Sequence, residues 1–108
     1  MKKSQHLAIA SVLLLGCVSA YGQAKKGDAA KGKEVFDQCS VCHNADSAEA
    51  KMGPGLKGLA KRKLAGGKPA TDANILEKLN EGGNGMPSYK DTLSDVEKAN
   101  VLAYLKSL

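Results

Sequence analysis

The stretch Cys39-Ser40-Val41-Cys42-His43 decides the fold of this chain of 108 residues. Two cysteines are separated by two residues, and a histidine follows directly. On a helical turn, side chains three positions apart lie on roughly one side, so both thiols can form thioethers to the two vinyl groups of one porphyrin. The imidazole that follows is then directed to one face of the ring. This C-x-x-C-H spacing is the attachment pattern of a c-type haem, and it predicts one covalently bound haem c.

Three other interpretations of the two thiols stay open, with less support from the sequence. A thioredoxin-like dithiol also uses C-x-x-C, but it is expected near a βαβ pattern, which this sequence lacks. A structural zinc site needs four ligands, and after residue 24 the only cysteines and histidines are Cys39, Cys42 and His43. A plain disulfide in an oxidising compartment is the third alternative.

The second axial ligand of a haem iron follows largely by elimination. His43 is the only histidine after residue 24, because the other is His6, so ligation by two histidines of a mature chain is excluded. Met52, Met86, a lysine or an open position remain. Met52 lies nine residues after His43 and is followed by a rigid Gly-Pro pair, whereas Met86 lies 43 residues downstream, enough chain to pass around a haem. We therefore predict Met86 as the ligand, although a methionine can also serve as a core filler.

The remaining sequence predicts an all-α domain of three to four short helices joined by long loops. A first helix is expected from its N-cap Asp28 to about Gln38, and a second from Thr71 to the Gly82–Gly83 stop. Ser94-Asp95-Val96-Glu97 is a capping-box pattern. The helix behind it has apolar positions at helical spacing, namely Val96, Ala99, Leu102, Ala103 and Leu105. Long loops are unusual in so small a domain unless they wrap something, and a haem would be that object.

The start of the chain has the composition of a secretory signal peptide. Lys2 and Lys3 precede an apolar run over residues 7–18, which is followed by small residues. The run is shorter than the ~20 residues that span a bilayer. We expect a signal peptide at 1–24, a domain at 25–108 and a periplasmic location. The sequence Leu14-Leu15-Gly16-Cys17 also resembles a lipoprotein signal, which would end the leader at residue 16 and anchor the protein to the membrane through a lipidated Cys17.

Composition and charge narrow the function further. After residue 24 the chain holds one Phe, two Tyr and no Trp, so it buries little apolar surface by itself and needs a staple. A buried haem would supply the missing core. The formal net charge is +5, but lysines are spread along the chain with acidic residues between them, as at Lys31, Lys33, Glu34 and Asp37, and we identify no basic block. Binding of nucleic acid is therefore not expected.

Beyond the motif, the chain resembles the small monohaem class I bacterial cytochromes c. The resemblance rests on Gly32-x-x-x-Phe36-x-x-Cys39, Gly53-Pro54-Gly55-Leu56-x-Gly58-Leu59, Gly85-Met86-Pro87 and the closing Leu102-Ala103-Tyr104-Leu105. It implies a cytochrome c-like fold wrapped around the haem, in which the first helix crosses the last with Gly32 and Phe36 against Leu102 or Tyr104. It also implies that Pro54 offers its backbone carbonyl to the ring of His43. Candidates for partners of the haem propionates are Arg62, Asn84 and Tyr89.

The function expected from these features is that of a periplasmic one-electron carrier, and not of an enzyme. His/Met ligation fills both axial positions, and no nucleophile–base pair is evident. The resemblance implies a monomer that docks at the exposed haem edge, with Lys57, Lys61 and Lys90 as candidate contacts. Its partners would be a quinol–cytochrome c reductase, a terminal oxidase or reductase, or a dehydrogenase. Two alternatives stay open, a dedicated cytochrome subunit of a dehydrogenase or oxidase complex and a gas-binding or sensing haem protein.

Overall fold

The computed structural model describes residues 26–108, and these form three α-helices and one 3₁₀ turn joined by long loops. The elements are α1 (Ala29–Phe36), the 3₁₀ turn (Leu59–Lys61), α2 (Asp72–Glu81) and α3 (Asp95–Lys106). Over residues 26–108 there is no strand, only the isolated bridges Lys63–Pro69 and Gly83–Met86. The predicted all-α fold is confirmed. No helix in this range is long and apolar enough to cross a membrane. The predicted leader and Cys17 lie outside the described residues.

Each helix begins at a cap that the sequence encodes. The side chain of Asp28 accepts hydrogen bonds from the backbone N–H groups of the first turn of α1, with Oδ1 2.9 Å from Ala30 N. Thr71 Oγ1 accepts from the N–H of Asn74 at 3.2 Å. Ser94 and Glu97 form the reciprocal capping box before α3. These bonds satisfy N–H groups that have no partner within a helix, and the three predicted starts are confirmed.

A glycine allows α1 to cross α3 closely. A Cβ on Gly32 would overlap the backbone carbonyl group of Asn100 and would lie 2.9 Å from Tyr104 Cβ. One turn further along α1, the ring of Phe36 lies against that of Tyr104 with centroids 5.3 Å apart and the planes tilted by 56°, an attractive arrangement for aromatic pairs. At the start of α1, the N–H of Asp28 donates to Asn100 Oδ1 at 2.8 Å. The expected crossing is confirmed, with Tyr104 as the aromatic partner.

The buried face of α3 differs from the predicted apolar stripe. Val96 is 63% exposed, whereas the buried residues of the helix are Asn100, Val101 and Leu105. The reason is that α3 packs against α1 on one side and faces the core on another, so its buried positions do not form a single stripe. Val96 stands in the first turn, before the helix reaches the crossing at Asn100, and it stays in solvent.

The hydrophobic core lines a large, open cavity. Its main cluster of buried side chains is made by Phe36, Leu56, Leu59, Ile75, Leu79, Val101 and Leu105. All seven line one cavity of about 600 Å³. Protein interiors are close-packed and contain few voids larger than a water molecule. The fold therefore leaves room at its centre for a large apolar group.

Candidate haem site

The turns that follow α1 bring the C-x-x-C-H residues to the cavity. The N–H of Cys39 donates to the carbonyl of Phe36 at 2.7 Å, and the N–H groups of Cys42 and His43 both donate to the carbonyl of Cys39, at 3.1 and 2.9 Å. Helical winding thus continues through the motif after α1 has ended. Cys39, Cys42 and His43 all line the cavity, and both thiols are free. Val41, between the two cysteines, is 72% exposed.

The ring of His43 is held by the Gly53–Pro54 pair. His43 Nδ1 lies 2.8 Å from the backbone carbonyl oxygen of Pro54. Since a carbonyl only accepts, Nδ1 carries the proton and donates it, which leaves the lone pair of Nε2 free for a metal. The N–H of Gly53 donates to the carbonyl of Cys42 at 2.8 Å, and a Cβ at Gly53 would overlap the imidazole ring. This segment fixes both the orientation and the tautomer of His43.

Met86 is presented to the cavity by a tight turn after α2. The N–H of Gly83 donates to the carbonyl of Met86 at 2.9 Å, and the N–H of Met86 donates back to Gly83 at 3.0 Å. Inside the turn, Asn84 and Gly85 have positive φ values of 53° and 90°, which glycine and asparagine tolerate better than other residues. The side chain of Met86 is partly buried, packs on the core cluster and lines the cavity.

Met52 also borders the cavity, but it stands at the outside. Its side chain is 85% exposed, and its Sδ lies 3.9 Å from Cys42 Sγ. Met52 is the residue directly before Gly53, which touches the ring of His43. The exposed thioether of Met52 is positioned at the outer edge of the cavity. The partly buried side chain of Met86 is positioned further inside it.

Arg62 lies on the cavity wall and has one buried N–H donor without a partner in the described residues. The guanidinium of Arg62 donates to the backbone carbonyl of Gly55, while Arg62 Nε is buried and has no hydrogen-bond partner in the described part of the chain. Leaving a buried donor unpaired costs about 1–3 kcal/mol, which a bound anionic group would offset. Of the two other candidates for an anion contact, Asn84 lines the cavity at an exposed position and Tyr89 is not among the lining residues.

The environment of the thiols disfavours a redox dithiol. Burial, and to a lesser extent the charge of Cys42, raises the pKa of the Cys39 thiol above its ordinary value. A reactive dithiol needs the opposite shift, because the thiolate is the nucleophile. In residues 26–108 no three or more His, Cys, Asp or Glu side chains come together as a metal site. The cavity instead combines an apolar lining, two free thiols, an imidazole, a thioether and a cation with one unpaired donor, and this set fits a haem.

In comparisons with known proteins, the chain matches a cytochrome oxidase subunit family and small cytochromes. A family model described as cytochrome c oxidase, cbb3-type, subunit III, matches residues 27–105. Cytochrome c2 of Agrobacterium tumefaciens is 37% identical over 71 residues, which cover 65% of this chain and 62% of that protein, so the match spans less than two thirds of its length. Cytochrome c6 of Picosynechococcus sp. is 35% identical over 105 residues, which cover 92% of this chain and 89% of the relative.

Solved structures of similar fold include two further cytochromes. Cytochrome c6 from the diatom Phaeodactylum tricornutum superposes with a TM-score of 0.58 and 34% sequence identity, covering 75% of this chain and 93% of that one. Cytochrome cH from Methylobacterium extorquens gives a TM-score of 0.58 at 26% identity, covering 76% of this chain and 100% of the other. Both structural neighbours are therefore cytochromes.

Proposed function

Because the chain belongs to the class I family of small monohaem cytochromes c, we propose that it carries single electrons through one covalent haem c, with His43 and Met86 as the axial ligands of the iron. The family relationship supplies the cofactor and the coarse activity of a haem-based electron carrier. The single observation that carries the finer proposal is that Cys39, Cys42, His43 and Met86 all line the cavity bordered by the hydrophobic core.

Cys39 and Cys42 are proposed as the attachment residues. Each thiol would add across one vinyl group, so that a carbon–sulfur bond forms and the thiol proton passes to the neighbouring carbon, with no net oxidation. Two observations support this assignment: both thiols are free, and both border the cavity next to His43. Two covalent bonds would keep the cofactor in a small domain that buries little apolar surface by itself.

His43 and Met86 are proposed as the ligand pair. The hydrogen bond from His43 Nδ1 to Pro54 leaves Nε2 as the metal-binding nitrogen and makes the imidazole a stronger donor. The partly buried thioether of Met86 approaches the same cavity from the turn after α2. When bound, the haem supplies the iron(III)/iron(II) couple. Met/His ligation raises the reduction potential, and with both positions filled the chain offers no open site for a substrate.

Arg62 is proposed to neutralise a haem propionate. Its unpaired and buried Nε on the cavity wall supports it over the two other candidates of the sequence. A charge-assisted hydrogen bond between a guanidinium and a carboxylate is about twice as strong as a neutral one. The same side chain already donates to Gly55, so its orientation is fixed before the cofactor arrives.

The setting in the cell is proposed from the first residues of the sequence. A signal peptide at 1–24 would deliver the domain to the periplasm, where a reductase, an oxidase or a dehydrogenase would exchange electrons with it. Lipidation at Cys17 would anchor the same domain to the membrane. Mass spectrometry of the purified protein distinguishes the two, because an acylated Cys17 and a free Lys25 give different masses, and the same spectrum records one added haem.

Two alternative functions, a dedicated subunit of one complex and a gas sensor, are tested by different experiments. The matching family model is described as an oxidase subunit, and a dedicated subunit would co-purify with one partner at fixed stoichiometry, whereas a shuttle would not. A gas sensor with a labile bond to Met86 would bind carbon monoxide when reduced.

The test of the proposal is therefore exposure of the reduced holoprotein to carbon monoxide at neutral pH. A carrier with His43 and Met86 on the iron should keep its absorption spectrum unchanged and be reoxidised in one reversible one-electron step. Rapid formation of a carbon monoxide adduct by the wild-type protein would refute the carrier function.

A further inference from the structure

The turn that presents Met86 is built on the pair Asn84-Gly85. These two residues have φ values of 53° and 90°, and they lie between the two backbone hydrogen bonds that join Gly83 and Met86. Positive φ at both central residues of a two-residue loop is typical of a type I′ turn, for which Asn-Gly is a favoured sequence. In the described part of the chain, Asn84 is the one residue other than glycine with a positive φ. We call residues 83–86 the ligand turn.

An asparagine that precedes a glycine is open to attack by its own backbone. The nitrogen of the glycine can add to the side-chain amide carbon, because no side chain on the glycine hinders the approach. A carbon–nitrogen bond forms and closes a five-membered succinimide, and the amide –NH2 group leaves as ammonia with the proton of the backbone nitrogen. Water then opens the ring at either carbonyl, which gives aspartate or isoaspartate. No oxidant or reductant takes part.

Both reacting groups of the ligand turn are accessible. Asn84 and Gly85 are exposed, and neither the side-chain amide of Asn84 nor the N–H of Gly85 has a hydrogen-bond partner among the described residues. By contrast, Asn44 and Asn74 donate their side-chain amides to backbone carbonyls, and Asn100 is buried. The other asparagines of the described domain also precede residues that carry side chains; they are Asn44, Asn74, Asn80 and Asn100.

The ligand turn can reach the geometry of the succinimide without losing its frame. Ring closure requires a rotation about ψ of Asn84, which turns over the peptide group between Asn84 and Gly85. This rotation converts a type I′ turn into a type II′ turn, in which the first central residue keeps its positive φ. Both turn types accept the hydrogen bond from the N–H of Met86 to the carbonyl of Gly83, and glycine tolerates the new φ at the second position. The fold therefore holds Asn84 one peptide rotation away from ring closure.

An isoaspartate in the ligand turn would displace Met86. In isoaspartate the backbone runs through the former side chain, so the loop becomes longer by one carbon atom. The surroundings have no room for this atom, because even a Cβ added at Gly82 would overlap the carbonyl oxygen of Met86 and the backbone of Pro87. The lengthened turn must therefore shift the thioether that follows two residues later.

We propose that Asn84 is a site of spontaneous deamidation, and that formation of isoaspartate there releases Met86 from the iron. The modification itself stands on the exposed Asn-Gly turn. The release rests on the proposed function, in which Met86 is an axial ligand. Deamidation then limits the lifetime of the closed coordination, because the second axial position becomes open to water and to small ligands once the turn has lengthened.

The experiment ages the ferric holoprotein in mildly alkaline buffer, which favours loss of the proton from the N–H of Gly85. Mass spectrometry of the tryptic peptide 79–90 records the exchange of –NH2 for –OH, and fragmentation assigns it to Asn84 or to Asn80, an internal control that precedes Glu81. A protein isoaspartyl methyltransferase labels the isoaspartate. After each sample is returned to neutral pH, absorption spectroscopy measures the weak long-wavelength band that a methionine–iron(III) bond gives.

Two variants separate the steps of the proposal. Asn84→Gly keeps a residue that accepts positive φ but lacks the side-chain amide, so its band should persist throughout the incubation. Freshly prepared Asn84→Asp carries the negative charge of the product on a backbone of ordinary length, and aspartate tolerates positive φ as asparagine does. It should therefore have the band as well.

We expect the wild-type protein to be modified at Asn84 and not at Asn80, and to lose a fraction of its band equal to the fraction of isoaspartate. Absence of isoaspartate at Asn84, or equal modification of Asn80, would overturn the assignment of the site. A band that persists in isoaspartate-containing protein would overturn the release of Met86. Loss of the band in fresh Asn84→Asp would do the same for backbone lengthening as its cause, and so would equal loss in aged Asn84→Gly.

The two readouts also distinguish failure of this inference from failure of the proposed function. A wild-type protein that lacks the band before ageing would refute Met86 as a ligand and overturn the proposed release with it. The peptide masses would still decide whether Asn84 is a site of deamidation, because they do not depend on the iron.

Discussion

Removing both proposed attachment residues should unfold this protein, because its core borders the cavity proposed to hold the haem. The perturbation is the double variant Cys39→Ser/Cys42→Ser, prepared free of haem. Without the cofactor, a cavity of about 600 Å³ lies at the centre of the domain. At about 24 cal/mol per Å³ of unfilled cavity, the destabilisation would reach about 14 kcal/mol. The cavity is open to solvent and water can enter it, so this figure is an upper bound.

Even half of that destabilisation, about 7 kcal/mol, is comparable with the whole free energy of unfolding of a domain of this size. Folded domains gain about 0.05–0.15 kcal/mol per residue, which gives residues 26–108 about 4–12 kcal/mol in total. The upper bound of about 14 kcal/mol exceeds this range, and half of it lies within the range, so loss of the haem removes most or all of the stability. The chain has one phenylalanine and no tryptophan with which to collapse into the space, so we expect no compact alternative core.

Far-UV circular dichroism and urea titration measure the effect. The wild-type holoprotein should show a helical spectrum and one cooperative transition, and the double variant should show neither. The control is Val41→Ser, which introduces the same side chain at a position of the same turn that is 72% exposed. It should attach haem and unfold like the wild type. A haem-free double variant with native helix content and a cooperative urea transition would refute the reasoning.

The remaining predictions concern glycines and a cap. Gly32→Ala, whose Cβ would overlap the backbone of Asn100, should destabilise the holoprotein by about 3 kcal/mol in urea titration. Gly66→Ala, at an open position with φ 101°, should cost about 1 kcal/mol through the positive φ alone, and equal losses would argue against a tight crossing. Ser94→Ala should cost about 1 kcal/mol through loss of the capping box, and an unchanged midpoint would show that the cap is dispensable. Gly53→Ala should displace the His43 ring from its carbonyl acceptor and raise the reduction potential measured by spectroelectrochemistry; an unchanged potential would contradict the positioning role of Gly53.

Local signals in the sequence were sufficient for the helices and for the haem motif. The caps at Asp28, Thr71 and Ser94 act within one helical turn, so their chemistry can be read from neighbouring residues. The C-x-x-C-H pattern is local in the same way. The sequence predicts the end of α1 near Gln38, whereas the helix ends at Phe36, since the chain passes from the helix into the turns of the motif without a breaking residue.

Features that depend on distant residues were less accessible. The sequence pattern put Val96 on the apolar face of α3, but the buried positions follow from contacts with α1 and the cavity, which a single periodicity does not describe. Asn100 is buried because it accepts the N–H of Asp28, a residue 72 positions away. The buried and unpaired Nε of Arg62 supports the proposal of this residue over the two other propionate candidates, and this observation requires the folded structure.

The ligand pair of the iron is the central claim, and the ferric absorption spectrum tests it most directly. A methionine–iron(III) bond gives a weak charge-transfer band at long wavelength. We predict this band in the wild-type holoprotein and in Met52→Leu, whose side chain is 85% exposed, and its loss in Met86→Ala. A band that persists in Met86→Ala, or that disappears in Met52→Leu, would contradict the assignment of Met86 and with it the closed coordination on which the carrier function depends.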